Sequence, residues 1–307
     1  MKNEWKIRFG AENLKGREVP LGRCFSWNSA QGSIPAAYIS EKGILLDICM
    51  EYDRESYRAY LNRFRDLFDR EGKINNQRML RFQQEDPMDC YFRTELLING
   101  NGLKHYEGHG MRWVPKALEP IISDEVDMQP VMERYGLAKD KVWQFRREAF
   151  LWESEADPLE GQWELLLRQW PQMHLAQTFE LPQTGQQATV KNPLTGMEHR
   201  ITVTDIQRKR IQKFRKEHFA FPENCLVMAY TLEPELPAKS FFLRDTAESD
   251  PPRETETDSA VTCLTSDDSR PEGRYAVSSL HFDPVETVTW QAVFRAKTTE
   301  DIRITLR

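Results

Sequence analysis

The sequence predicts a mainly β, β-rich α+β fold, with two tandem antiparallel β-sandwich-like domains and an amphipathic helix packed on the sheet of the first. Two observations predict this fold. Short segments that alternate apolar and polar residues, with turn residues between them, follow one another along most of the 307 residues, a pattern typical of sandwiches and barrels. One longer segment, residues 53–71, repeats its apolar side chains at helical spacing. A β meander begins at Pro171, so we predict domains at residues 1–170 and 171–307.

Three strand candidates open the first domain, at residues 5–9, 34–39 and 44–50. Side chains of a strand point alternately to its two faces. In the third candidate, one face is wholly apolar, whereas the other carries Asp47 beside Cys49. This difference predicts a half-buried strand.

The predicted helix over residues 53–71 has a start signal and a stop signal. The side chain of Asp53 can accept hydrogen bonds from the backbone amides of the first turn, and Gly72 provides a C-terminal stop. The apolar residues recur at spacings of four, three and four positions, which places them on one stripe. We expect this stripe to pack on a sheet. Its members are Tyr57, Leu61, Phe64 and Phe68.

Turn chemistry organises the rest of the first domain. Residues 90–98 alternate as a strand, and residues 99–102, Asn-Gly-Asn-Gly, supply the positive backbone φ angles that a tight hairpin needs. Residues 127–137 predict a short helix, because Pro130 suits a first turn and Gly136 suits a C-terminal end. Two further strands are predicted at residues 142–152 and 163–170.

The second domain is predicted to be all β. Turn residues such as those at 192–196 separate its short strands. An acidic segment, residues 245–273, carries nine carboxylates against two arginines, and we predict that most of it is an exposed loop. The remaining chain is then close to neutral, although the whole carries a formal charge of −6. The predicted strands lie at 173–181, 188–191, 201–206, 225–232, 240–243, 261–264, 275–282, 285–294 and 302–306.

Composition excludes several classes of protein. Charged residues make up 29% of the chain, and no segment contains the ~20 consecutive apolar residues that a membrane span requires. The five cysteines are odd in number and form no CxxC pair, which argues against a disulfide framework or a zinc ribbon. We therefore expect a soluble, cytoplasmic protein without cofactor or metal.

The standard catalytic signatures are missing from the sequence. It contains no GxxxxGK[ST] phosphate loop, no complete GxGxxG, no GxSxG and no HExxH. Half of the eight tryptophans fall within residues 143–170. Their rings could form a ligand-binding platform or belong to a buried core, and we favour the core because residues 149–152 make both faces of their strand apolar. The preferred hypothesis is therefore a non-catalytic binding or interaction protein.

The segment 105–109, His-Tyr-Glu-Gly-His, is the first candidate ligand-binding site. Imidazoles and carboxylates are the usual metal ligands, but on a strand His105, Glu107 and His109 share one face with the two histidines ~13 Å apart, too far for one ion. The neighbouring glycines argue against a helix. We predict a solvent-facing hairpin rim rather than a metal site.

Asp47 and Glu51 are the second candidate, because two carboxylates on one strand face can divide the roles of acid and base. The competing interpretation pairs Asp47 with an arginine in a structural contact. An enzyme remains the alternative hypothesis: a hydrolase acting on a sugar or small ester, with acids and histidines gathered at an interdomain cleft.

The third candidate is a basic strip over residues 208–216. Its cations are suited to phosphate contacts, so nucleic-acid binding is a further alternative. The flanking Asp205 and Glu217 moderate the charge, so we favour a solvated connector over nucleic-acid binding. The cations are Arg208, Lys209, Arg210, Lys213, Arg215 and Lys216.

Overall fold

The computed structural model confirms the mainly β fold with antiparallel sheets and three α-helices among the residues it describes. These residues are 16–41, 43–68, 75–88, 91–118, 128–154, 157–211, 215–261 and 273–307. The predicted opening strand at residues 5–9 lies outside them. The tandem sandwich arrangement remains a prediction.

The chain divides into two compact units. Unit 1 takes the described residues of Met1–Arg70, Glu85–Trp170 and Lys297–Arg307, and unit 2 takes those of Glu71–Gln84 and Pro171–Ala296. The main crossing therefore falls between Trp170 and Pro171, while the last strand of the chain belongs to unit 1.

Unit 1 contains a five-stranded and a four-stranded antiparallel sheet. Their strand orders are β1-β2-β3-β7-β6 and β18-β8-β4-β5. The strands are β1 (Arg17–Trp27), β2 (Ala30–Ser40), β3 (Gly43–Tyr52), β4 (Phe92–Ile98), β5 (Asn101–Gly102), β6 (Lys104–Trp113), β7 (Val142–Leu151), β8 (Trp163–Gln169) and β18 (Ile302–Thr305). The helices are α1 (Arg54–Arg63) and α3 (Gln129–Tyr135), with short 3-10 turns at Arg65–Leu67 and Pro158–Glu160.

Three antiparallel sheets are formed by the described residues of unit 2. Their strand orders are β10-β11-β13-β16, β14-β17-β9 and β12-β15. The strands are β9 (Gln172–Glu180), β10 (Gln187–Lys191), β11 (Glu198–Arg210), β12 (Arg215–Ala220), β13 (Asn224–Glu233), β14 (Phe241–Asp245), β15 (Arg253–Val261), β16 (Arg274–Val277) and β17 (Thr289–Ala296). One helix, α2 (Asn76–Glu85), begins in this unit.

The predicted hairpin and short helix are both present. Asn99 and Gly100 have φ angles of 51° and 78°, and Ile98 pairs with Asn101 across them, so a two-residue loop joins β4 to β5. Helix α3 has a proline in its first turn and ends at Gly136 in the left-handed conformation, with φ 61°. Both elements depend on local signals alone, which is why the sequence predicts them well.

Helix α1 is shorter than predicted. Asp53 caps it by accepting from the Ser56 amide at 2.7 Å, as expected, but the α-helix ends at Arg63 instead of residue 71. The apolar stripe continues into a 3-10 turn, where i,i+3 spacing takes over, and Phe64 is fully buried. Helix α2 and strand β1 are elements that the sequence pattern did not predict.

The expectation that β3 is half exposed is wrong. Only Glu51 of its ten residues retains partial exposure, and Asp47 is completely buried. The reason is tertiary: β3 is a central strand, and Met128, Val131 and Met132, at and within the start of α3, cluster with Cys49 on the face that carries Asp47.

The sequence predicts that most of the acidic segment 245–273 is a loop, with one strand at residues 261–264, of which only Val261 is described. The described part contains a longer strand than predicted. Residues 253–261 form strand β15, which pairs antiparallel with β12. Its sequence alternates carboxylates with Thr255, Thr257 and Ser259, and threonine, being β-branched, favours strands. Residues 262–272 lie outside the described part of the chain.

Candidate functional site

A bulge in β6 separates the histidines that the sequence grouped. His105 pairs with Phe150 and Glu107 pairs with Ala149, with a register shift between them. Because Phe150 and Ala149 are consecutive, their side chains point to opposite faces of the sheet. His105 therefore lies on one face and Glu107 on the other. The prediction that the three residues share a face is wrong, because Tyr106 is inserted as an extra residue.

His105 pairs instead with a carboxylate that the sequence analysis missed. Its Nε2 lies 2.7 Å from Oε2 of Glu148, whose side chain is 1% exposed. The Nη2 of Arg146 lies 2.5 Å from the other oxygen, Oε1. Gly108 leaves room for this carboxylate, since a Cβ there would lie 2.4 Å from Oε2. In the sequence, Gly108 indicates that another group can approach closely at this position, but it does not identify that group as Glu148.

His109 and Glu107 form a separate, partly exposed pair. The Nε2 of His109 lies 2.7 Å from Oε1 of Glu107, and about two fifths of each side chain is exposed. Among the residues that the structure describes, no three His, Cys, Asp or Glu side chains group as a metal site.

Asp47 forms a buried ion pair, the arginine pairing that competed with a catalytic role. Arg147 lies opposite it in the sheet and donates from Nε and Nη2 to its two oxygens at 2.7 and 2.6 Å. The hydroxyl of Tyr135 donates to Oδ2 at 2.5 Å and lies 2.7 Å from the hydroxyl of Tyr38. Burial beside Asp47 raises the pKa of the Cys49 thiol, and burial raises the pKa of Tyr135. Both groups are therefore neutral at physiological pH.

The basic strip 208–216 is partly neutralised. Arg208 lies 3.1 Å from Glu286, and Arg210 pairs with Glu223. Arg215 and Lys216 belong to β12, opposite Val261 and Ala260 of the acidic strand β15. Lys213 lies outside the described residues.

An exposed aromatic pair lies at one end of the four-stranded sheet. Tyr91 and Trp170 are 60% and 53% exposed, and the amide of Trp170 donates to the carbonyl of Tyr91 at 2.8 Å. They follow directly on Phe92 and Gln169, the last paired residues of β4 and β8, so Tyr91 and Trp170 are backbone neighbours at the end of these strands. Trp143 and Trp163 are buried, in agreement with the core interpretation of the tryptophan cluster, and Trp170 departs from it.

Arginines continue this surface. Arg93 and Arg168 are cross-strand partners. Each lies two residues along its strand from Tyr91 or Trp170, the spacing at which side chains point to the same side of a sheet. The buried Phe92 and Gln169 lie between the two pairs and point to the other side. We call this surface, formed by Tyr91, Trp170, Arg93 and Arg168 with their ion-pair partners, the aromatic–arginine face.

Unit 1 also has a cavity of about 470 Å³ at the far end of β4. It is lined in part by Ile98, Leu103, Lys104 and Trp152. None of the sequence-predicted site residues of this unit lines it.

Comparisons of the chain with protein-family models, with curated proteins and with solved structures find no match. Within the described ranges, no helix has both the length and the apolar composition needed to cross a bilayer.

Proposed function

We propose that the chain is a non-catalytic binding protein that holds a ligand with stacking rings, sugars or nucleobases, against Tyr91 and Trp170. The observation that carries this proposal is the exposure of two large aromatic side chains on residues whose backbones are hydrogen-bonded neighbours at the end of a sheet. Aromatic side chains stack on nucleobases at about 1–3 kcal/mol per base, and their faces also pack against sugar rings. The hydrogen bond between their backbones holds the two residues at the end of β4 and β8, which lowers the backbone entropy lost on association.

The ionisable groups support binding rather than catalysis. Asp47 is held by Arg147 and Tyr135, and His105 is held by Glu148, within separate structural contacts on opposite faces of the five-stranded sheet. A general base needs a reacting group within hydrogen-bond distance. The Asp47 carboxylate is fully buried, so a ligand from solvent does not reach it.

The test is the binding of arrays of oligosaccharides and oligonucleotides to the full chain, with tryptophan fluorescence as the second readout. We expect Trp170→Ala and Tyr91→Ala each to weaken binding of the retained ligand about tenfold, the equivalent of roughly 1.4 kcal/mol. Tyr275→Ala removes a 44% exposed ring from unit 2 and is the matched control. Equal binding by wild type, Trp170→Ala and Tyr91→Ala would contradict the proposal.

A further inference from the structure

Building on the proposed function, we propose that the ligand is an uncharged oligosaccharide and that Glu95 is the residue that selects it against polyanions. The aromatic pair alone accepts either sugar rings or nucleobases. The ion pairs around it discriminate between these two classes, because only polyanions depend on unpaired cations.

Glu95 is held by both arginines of the face. Its Oε2 accepts from Nη2 of Arg168 at 3.0 Å, the Nε of Arg168 lies 3.0 Å from Oε1, and Arg93 pairs with Oε1. The hydrogen bond from Arg168 is the main cause of the lowered pKa of Glu95. Glu95 therefore carries its charge at neutral pH and neutralises the nearest cations.

The surrounding charges are balanced in the same way. Asp301 lies 3.5 Å from Arg168 and 2.9 Å from Lys297, and Glu164 lies 3.0 Å from Arg303. With Glu95 and Arg93, this network has four cations and three carboxylates. A phosphate chain gains most of its affinity from cations that release counterions, and here it would have to break existing pairs and approach three carboxylates.

A polyhydroxylated ligand can hydrogen-bond to the same charged groups without breaking the ion pairs between them. Guanidinium N–H groups donate to hydroxyl oxygens, and carboxylate lone pairs accept from hydroxyl hydrogens. Mutual pairing holds these donors and acceptors in fixed positions, which favours a neutral ligand.

The geometry also suits a chain of sugar rings. The Arg93–Arg168 pair lies two residues along the strands from Tyr91–Trp170, about 6.6 Å at ~3.3 Å per residue. Leu166 lies beyond, on the same side of β8, opposite Glu95 and Arg303, and is 8% exposed. A first ring stacked on the aromatic pair therefore places the next ring over the arginine–glutamate network.

The experiment compares wild type, Glu95→Gln, Trp170→Ala and Glu51→Gln. The probes are an array of uncharged oligosaccharides and an oligothymidylate at 50 and 200 mM salt. Glu51 is the matched control, because its side chain is 28% exposed, close to the 30% of Glu95, and it also pairs with a cation, Lys141. Circular dichroism checks that each variant is folded.

We expect wild type and Glu51→Gln to bind an uncharged oligosaccharide, with little effect of salt and with loss of binding in Trp170→Ala. Glu95→Gln should bind that sugar about tenfold more weakly and gain binding to oligothymidylate. Arg93 loses its carboxylate partner whereas Arg168 keeps Asp301, so one freed arginine predicts a roughly 2.6-fold loss of that new affinity between 50 and 200 mM salt, from a slope of about −0.7 per contact on single strands.

Two results would overturn the inference, and they separate it from the proposed function. If wild type binds oligothymidylate but no sugar, and this binding is lost in Trp170→Ala, the ligand is not an uncharged oligosaccharide. The proposed stacking site then still stands. If neither probe shows Trp170-dependent binding, both the ligand class and the proposed function fail.

Discussion

At the scale of single residues, Asp47 is the centre of a buried hydrogen-bond network in unit 1. The carboxylate is fully buried and receives three hydrogen bonds, two from Arg147 and one from Tyr135. Tyr135 links it to Tyr38, whose hydroxyl also accepts from Nε of Arg134 at 3.0 Å. This network joins α3 to the five-stranded sheet.

Asp47→Asn should destabilise the protein by about 3–5 kcal/mol, because it leaves the Arg147 guanidinium buried without its counter-ion. The measurement is urea unfolding followed by circular dichroism. Glu55→Gln, which breaks the exposed pair with Arg58, is the control and should cost about 0.5 kcal/mol or less.

The double variant Asp47→Leu with Arg147→Met separates charge from packing. Replacing both members by apolar residues should recover most of the stability lost in Asp47→Asn. An Asp47→Asn variant as stable as wild type would show that the ion pair does not stabilise the fold.

Asp47 and His105 both have pairing partners that the sequence alone does not identify. Asp47 is visible as a carboxylate on an otherwise apolar strand, but Arg147 lies a hundred positions away. His105 was a candidate from its neighbours, and its partner Glu148 lies 43 positions away. Sequence spacing gives local geometry only, so neither partner was predictable.

At the scale of elements, the C-terminal end of α3 depends on one glycine. Gly136 has φ 61°, a conformation in which a Cβ is strained, and its amide bonds back to the last turn of the helix. The helix covers Cys49 and contributes Tyr135 to the Asp47 network. Its stability is therefore coupled to that of the sheet.

Gly136→Ala should lower the free energy of unfolding by about 1 kcal/mol, and Gly136→Asn should lower it less, because asparagine tolerates the left-handed region. Gly110→Ala is the control, since a Cβ there meets its nearest atoms only at 3.8 Å. Equal stability of Gly136→Ala and wild type in urea unfolding would contradict this account.

Elements differ in how much of them the sequence predicts. The Asn99–Gly100 hairpin and α3 follow from turn and cap residues, and both are confirmed. The bulge at Tyr106 and the burial of β3 do not follow from local residues. The bulge depends on pairing with β7, and the burial depends on the packing of α3 against β3.

At the scale of the whole molecule, the distribution of charge differs from the one the composition suggests. Opposite charges that lie far apart in the sequence meet in ion pairs, as on the aromatic–arginine face, and the acidic strand β15 pairs with the basic strand β12. The net charge of −6 therefore does not describe the field at any particular surface.

Stability of the whole chain should fall as the pH decreases from above 6.5, in part through His174. Burial lowers the pKa of His174 from its ordinary 6.5, and its Nε2 has no hydrogen-bond partner among the described residues. The unfolded chain then binds the proton more readily, so stability is lost between 6.5 and the lowered folded pKa. The measurement is urea unfolding between pH 7.5 and 5.

His174→Gln should show a smaller decrease in unfolding free energy over this interval than wild type. The same decrease in both proteins would mean that His174 does not contribute. The loss at lower pH involves carboxylates such as Glu95 and Asp301, whose pKa values are lowered by their cationic partners.

The sequence by itself determined the mainly β class, the hairpin at Asn99, the cap at Asp53 and the short helix before Gly136, because alternation, turn residues and caps act within a few positions. Only the tertiary structure decided which charges are paired, which strand faces are buried, and that Trp170 is exposed beside Tyr91. These features depend on contacts between distant segments. The proposed binding surface exists because β4 and β8, about 70 residues apart, are hydrogen-bonded neighbours.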